Sequence, residues 1–175
     1  MKNYIILLIV VIILAGCTSK TKQTATPPTI SKPVNSVVTS NECSTINRLV
    51  TGYESEFDSI KTDKVNNQFT NQWRTNTHII GSACTVTLNE SKQVSYQCQT
   101  PIKTQTHAVK SHQMLAIQLR QCLSKTGWFE SQKETASSIY SSFVFDTKNP
   151  VITLSTIQEG NGFSTRFEIA PPLGF

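Results

Sequence analysis

The stretch CTVTLNESKQVSYQC, Cys84 to Cys98, decides the fold. Its two arms, CTVTL and VSYQC, alternate polar and apolar residues, which is the two-residue period of a half-buried strand. Between them Asn89 to Gln93 is wholly polar and supplies a turn. If Leu88 faces Val94, then Val86 faces Tyr96 and Cys84 faces Cys98. Directly opposed residues of an antiparallel pair lie close enough for two cysteines to be bridged. The stretch therefore predicts a disulfide-closed β-hairpin with one apolar face in need of cover.

Working outward, that cover comes from two helical patterns. Ile46, Leu49, Val50, Tyr53, Phe57 and Ile60 recur at helical intervals behind Thr39 and Glu42, which have capping-box spacing, so a first helix is predicted over 42–61. A polar loop containing Trp73 follows. The hairpin strands are predicted over His78 to Leu88 and Gln93 to Thr100, with Gly81 as a bulge and Pro101 as the stop. Ala108, His112, Leu115, Leu119 and Cys122 share one stripe of a second helix over 106–125, ended by Gly127.

Three strand-like runs close the chain: Ser138 to Asp146, Val151 to Ile157 and Phe163 to Ala170. Asn149 and Pro150 separate the first two, and a Glu159 to Gly162 turn separates the last two. The order is α-ββ-α-βββ. Helices that bury one stripe need a sheet to cover, so the sequence predicts an α+β fold of two layers, two helices on one face of an antiparallel sheet. No internal repeat is clear, although an α-β unit follows an α-β unit.

Four cysteines fall in this domain, Cys43, Cys84, Cys98 and Cys122. An even number in an exported chain reads as two disulfides with three connectivities. The hairpin pairs Cys84 with Cys98, which leaves Cys43 with Cys122, one in each helical pattern. That bridge closes a loop of about 80 residues, worth roughly 4 kcal/mol on the chain-entropy estimate. No C-x-x-C pair is present, so zinc is not expected.

Export is read from the N-terminus, MKNYIILLIVVIILAGC. Lys2 precedes an apolar run of 11 residues, Ile5 to Ala15. A helix needs about 20 apolar residues to cross a bilayer, so the run suits a cleaved signal peptide. Leu14, Ala15, Gly16 and Cys17 match a lipobox, and here the chain resembles the bacterial lipoprotein family. The resemblance implies a diacylglycerol on the sulfur of Cys17, cleavage between Gly16 and Cys17, and a third acyl chain on the new amino group. Thr18 in place of Asp after the cysteine resembles the members sorted to the outer membrane. Two acyl chains suffice for stable anchoring.

Residues 1–16 are thus read as signal peptide, 17–41 as a lipidated tether and 42–175 as one α+β domain. The tether, rich in Thr, Ser, Pro and Lys, has no apolar period and cannot bury a core. It spans about 25 to 30 Å as a flexible coil. The expected location is the cell envelope, on the outer membrane, with the domain in the periplasm or at the cell surface.

The net charge of +5 invites a nucleic-acid reading. Four of the 16 basic residues precede Glu42 and all 11 acidic residues lie at or beyond it, so residues 42–175 carry only +1. Without a basic stripe there is little counterion release to drive binding, and no nucleic acid is expected.

Catalytic constellations fail as well. Lys125, Thr126 and Gly127 spell a fragment of penicillin-binding enzymes, but a Ser-Asp-Asn is absent and the Ser19 and Lys22 pair lies in the tether. His107 and His112 are five apart and turn to different faces, so His78, His107 and His112 are read as exposed or capping residues. Glu54, Glu56 and Asp58 read as a solvated face rather than a hydrolytic pair. No cofactor, no metal and no enzymatic activity are expected.

Trp73, Trp128 and Phe129 are the candidates for contact with a partner, since interface anchors are often aromatic; core packing is the competing reading. The C-terminal APPLGF is either packed on the domain or a short docking tail. The expected function is a membrane-anchored envelope lipoprotein that presents a non-catalytic protein-binding domain. The alternative is an immunity or inhibitor lipoprotein against an envelope hydrolase or toxin.

Overall fold

The computed structural model describes residues 40–66 and 70–172. The signal segment, Cys17, nearly all of the tether and Thr39 of the expected helix cap lie outside the described residues. Among those described, the fold is α+β: two helices lie on one face of a single antiparallel sheet of eight strands. Helix α1 (Ser40–Gly52) precedes β1 (Lys61–Val65), β2 (Asn71–Thr75), β3 (Ala83–Leu88) and β4 (Val94–Gln99). Helix α2 (Gln105–Leu123) precedes β5 (Phe129–Glu134), β6 (Ser138–Val144), β7 (Val151–Glu159) and β8 (Gly162–Ala170).

The predicted alternation of helix, strands, helix, strands is present, and three strands join it. β1, β2 and β5 are polar and charged, with no apolar alternation to announce them, and two of them, β1 and β5, are the sheet edges. Sheet pairing recruits them where propensity alone does not. The polar loop expected around Trp73 is therefore strand β2.

The sheet order is β1-β2-β3-β4-β8-β7-β6-β5. It is a palindrome about the β4·β8 seam: two units, each a helix followed by a four-stranded meander, joined through their last strands. The alternation of α-β units visible in the sequence is the trace of this arrangement. The β3–β4 hairpin has the predicted register, with Leu88 opposite Val94, Val86 opposite Tyr96 and Cys84 opposite Cys98. Both disulfides are formed, Cys84–Cys98 across the hairpin and Cys43–Cys122 between the helices.

Helix α1 is shorter than its apolar period suggested. After Gly52 the chain makes one 3₁₀ turn, Tyr53–Ser55. Glu56 and Phe57 then take left-handed φ values of 53° and 60°, and the Phe57 N–H bonds to Gly52 O at 2.7 Å. Phe57 and Ile60 still reach the core, through this reversal rather than through a helix. Gly81, expected as a bulge, lies in the bend before β3 at φ 60°. A Cβ there would sit 2.3 Å from Gln99 O, so only glycine fits. The β7–β8 turn is a two-residue connection with Gly160 at φ 57°, the glycine-first hairpin turn that matches strand twist.

The core lies between the helices and one sheet face. Ile46 and Leu49 of α1 and Leu115, Leu119 and Leu123 of α2 meet Val86, Tyr96, Ile152, Leu154, Phe167 and Ile169. Burial pushes the Tyr96 phenol well above its ordinary pKa, and its hydroxyl donates to Thr77 O at 2.8 Å.

His112 corrects the sequence reading. It is 1% exposed, not a surface or capping group. The stripe that carries it faces the sheet, where Ser141 Oγ lies 3.1 Å from Nε2 and Thr156 Oγ1 lies 3.1 Å from Nδ1. Thr156 Oγ1 in turn contacts Thr165 Oγ1 at 2.9 Å, and Thr165 donates to Ala108 O. His107 does stand near the α2 start, with Nδ1 2.8 Å from Thr104 Oγ1.

Candidate functional site

Strand side chains alternate between faces, so the same register that buries the core defines what lies on the face that neither described helix covers. One row runs across five strands: Gln99, Arg166, Ser155, Tyr140 and Lys133 stand opposite one another from β4 to β5. A neighbouring row runs Arg74, Thr85, Gln97, Glu168, Thr153, Ser142 and Ser131. Beyond it lie two apolar pairs, Phe129 with Val144 and Val151 with Ala170. Eight strands at the usual spacing are about 34 Å across, and with about 20 Å of strand length the face is on the order of 700 Å².

Arg166 is at the centre of this face, on β8. Its Nη2 donates to Gln99 Oε1 at 3.5 Å, the limit of a hydrogen bond, and its Nε is shielded from solvent with no partner. Gln99 turns its amide nitrogen to Glu159, at 3.3 and 3.4 Å from the two carboxylate oxygens, and to Ser164 Oγ at 3.3 Å. The amide thus stands between the guanidinium and that carboxylate. Glu168 shares the face two residues along β8, and the ion pairs formed among the described residues, Lys61–Asp58 and Arg120–Glu130, do not include Arg166.

The three aromatic candidates do not form one site. Trp73 faces the helix side, opposite Val86, and packs against the core. Lys61 Nζ and Lys64 Nζ approach its ring centre to 4.6 and 5.8 Å, a cation–π contact that fastens β1 to β2. Trp128 is half-buried against the core, 6.0 Å from the Phe145 ring. Phe129, by contrast, is 74% exposed on the open face. Trp73 and Phe129 stand near opposite edges and on opposite faces of the sheet, so of the three only Phe129 belongs to the uncovered surface.

The Ser141–His112–Thr156 chain has the atoms of a hydroxyl–imidazole relay, but all three residues are buried beneath α2 and no substrate can reach them. Burial, with the nearby Arg120 charge adding to it and Glu130 opposing, lowers the His112 pKa to about 4. The imidazole is held neutral, one nitrogen donating and the other accepting. It fastens α2 to β6 and β7. Among the described residues no group of three His, Cys, Asp or Glu is placed to hold a metal ion, and no helix is long and apolar enough to cross a membrane.

Fold and surface together define a disulfide-stapled α+β domain with one polar sheet face that neither described helix covers. No family model, no curated protein and no solved structure matches the chain. Sequence reading missed Arg166. The alternation in FSTRFEIA places Arg166 and Glu168 on one face of β8, but that β8 lies at the sheet centre follows only from the β4·β8 pairing, which is remote in sequence.

Proposed function

We propose that this chain is a lipoprotein of the bacterial envelope, anchored through acylated Cys17, that presents its α+β domain as a non-catalytic protein-binding module. The observation that supports the reading is the open sheet face. At roughly 700 Å² it is close to the about 800 Å² that each partner contributes to a standard protein interface. Most of its two rows are Ser, Thr and Gln side chains that can hydrogen-bond a partner, and Arg74, Lys133, Arg166 and Glu168 are the charges set among them. The lipobox supplies the anchor, the outer membrane is the destination its Thr18 suggests, and the tether lets the domain reach a partner in the periplasm or at the cell surface.

Two measurements test it. Labelled palmitate should enter the wild-type chain and not Cys17→Ser. A photo-cross-linking residue placed at Thr85 or Thr153, on the open face, should give one discrete adduct in the native envelope, while Met114 on the exposed side of α2 gives none. No palmitate label, or equal adducts from Met114, overturns the proposal. If the adduct is an envelope hydrolase or toxin, inhibition of that enzyme by the purified chain identifies the module as an immunity or inhibitor protein; full activity in its presence removes that reading.

A further inference from the structure

We infer that Arg166 is the anchor of a docking site for an acidic segment of a partner protein, its guanidinium taking a carboxylate from that segment. The inference rests on the binding-module reading and names the chemistry of its partner. Its starting point is an unmet donor. A guanidinium presents five N–H groups in a fixed fork, and buried or half-buried donors in folded proteins are nearly always paired. Arg166 has one acceptor at 3.5 Å and a solvent-shielded Nε with none, and that Nε is the one shielded side-chain nitrogen or oxygen among the described residues to lack a partner.

Nothing in the fold requires an arginine there. Arg166 points away from the core, and its neighbours across the strands, Gln99 and Ser155, are neutral. Gln99 commits its amide nitrogen to Glu159 and Ser164. A carboxylate arriving from outside would complete the fork once the side chain turns Nε outward, and charge-assisted, two-pronged pairing of this kind is the strong form of the interaction.

The surroundings select a protein rather than an anionic lipid surface. Glu159 and Glu168 share the face, so an array of phosphates would meet repulsion on both sides of the one central cation. A protein segment can set a single carboxylate on Arg166 and a basic side chain against Glu168, two residues away on the same strand. Phe129 and Val144, three and two strands over, give the same segment an apolar rim about 20 Å from the anchor, within one interface of standard size.

The test uses the full lipidated chain in its native envelope, with the photo-cross-linking residue at Thr153. Arg166→Ala should lower the adduct about tenfold or more, Arg166→Lys less, because an ammonium cannot make the paired contact. Gln99→Glu places a carboxylate opposite the guanidinium from within the sheet, at the cost of the donor that Glu159 holds, and should lower the adduct comparably with both disulfides intact. Arg74→Ala and Lys133→Ala, at the margins, should change it less than about threefold. Mass mapping of the adduct should find Asp or Glu in the cross-linked segment.

If the wild type yields an adduct that Arg166→Ala and Gln99→Glu leave unchanged, the anchor is overturned and the binding module stands. If the wild type yields none from Thr85 or Thr153, both are overturned. Arg166-dependent binding of the purified chain to phosphatidylglycerol vesicles, with no Arg166-dependent protein adduct, overturns the protein partner.

Discussion

The two halves of the sheet follow one plan and hold it together by different means. In the first, a helix of 13 residues precedes strands of 5, 5, 6 and 6 residues, and a disulfide closes the β3–β4 hairpin. In the second, a helix of 19 residues precedes strands of 6, 7, 9 and 9, none with a cysteine, and a buried hydrogen-bonded chain centred on His112 ties helix to sheet. Short strands bury little apolar surface, so the first half gains from restricting the unfolded chain. Longer strands bury more, and the second half can include a polar network, provided every member is satisfied.

The bridge between halves carries the largest expected effect. Cys43–Cys122 spans 79 residues, and on the chain-entropy estimate Cys43→Ala with Cys122→Ala lowers stability by about 4 kcal/mol. Cys84–Cys98 spans 14, and the corresponding pair of substitutions lowers it by about 3 kcal/mol. Urea unfolding under oxidising conditions measures both. Equal transitions with and without the Cys84–Cys98 bridge would show that the first half does not depend on it.

The second half should answer to acid instead. The folded His112 pKa of about 4 lies below its unfolded value of 6.5, so the unfolded chain takes the proton first. The imidazole's contribution is present in full above pH 6.5 and is lost as pH falls towards 4, on the order of 3 kcal/mol over that window. His112→Gln, which can still donate and accept, removes this group's part of the slope. Unfolding free energies for both chains at pH 7, 5.5 and 4.5 check it; parallel profiles would remove His112 as the source.

How much of this was legible follows the same division. The β3–β4 register and both disulfides were readable because the alternation is strict, the turn is short and four cysteines leave few pairings. β1, β2 and β5 were not, since Lys61–Val65, Asn71–Thr75 and Phe129–Glu134 alternate nothing apolar and become strands by adding to an existing edge. His112 was placed on the right stripe and assigned the wrong environment, because its hydroxyl partners, Ser141 and Thr156, come from strands 29 and 44 residues away. Arg166 was hidden for the same reason. Local period shows which residues share a face; only long-range pairing shows whether that face lies at an edge or at the centre.

The smallest effect distinguishes the two edges. β1 is fastened by Lys61 and Lys64 over Trp73, and β5 by Arg120 of α2, whose Nε and Nη2 lie 2.5 and 2.7 Å from the two carboxylate oxygens of Glu130. That hydrogen bond with Glu130 also raises the Arg120 pKa. The pair is partly solvated, with the arginine side chain 44% exposed, so Arg120→Lys should cost no more than about 1 kcal/mol despite the loss of two-point geometry. Its signature is local. An edge strand exposed at every residue, as β5 is, gains protection mainly from β6 and from this one contact to the helix. In Arg120→Lys the amides of β5 should therefore exchange faster while those of β1 and the β3–β4 hairpin do not change. Uniform acceleration across the sheet would instead show that the two halves open as one unit.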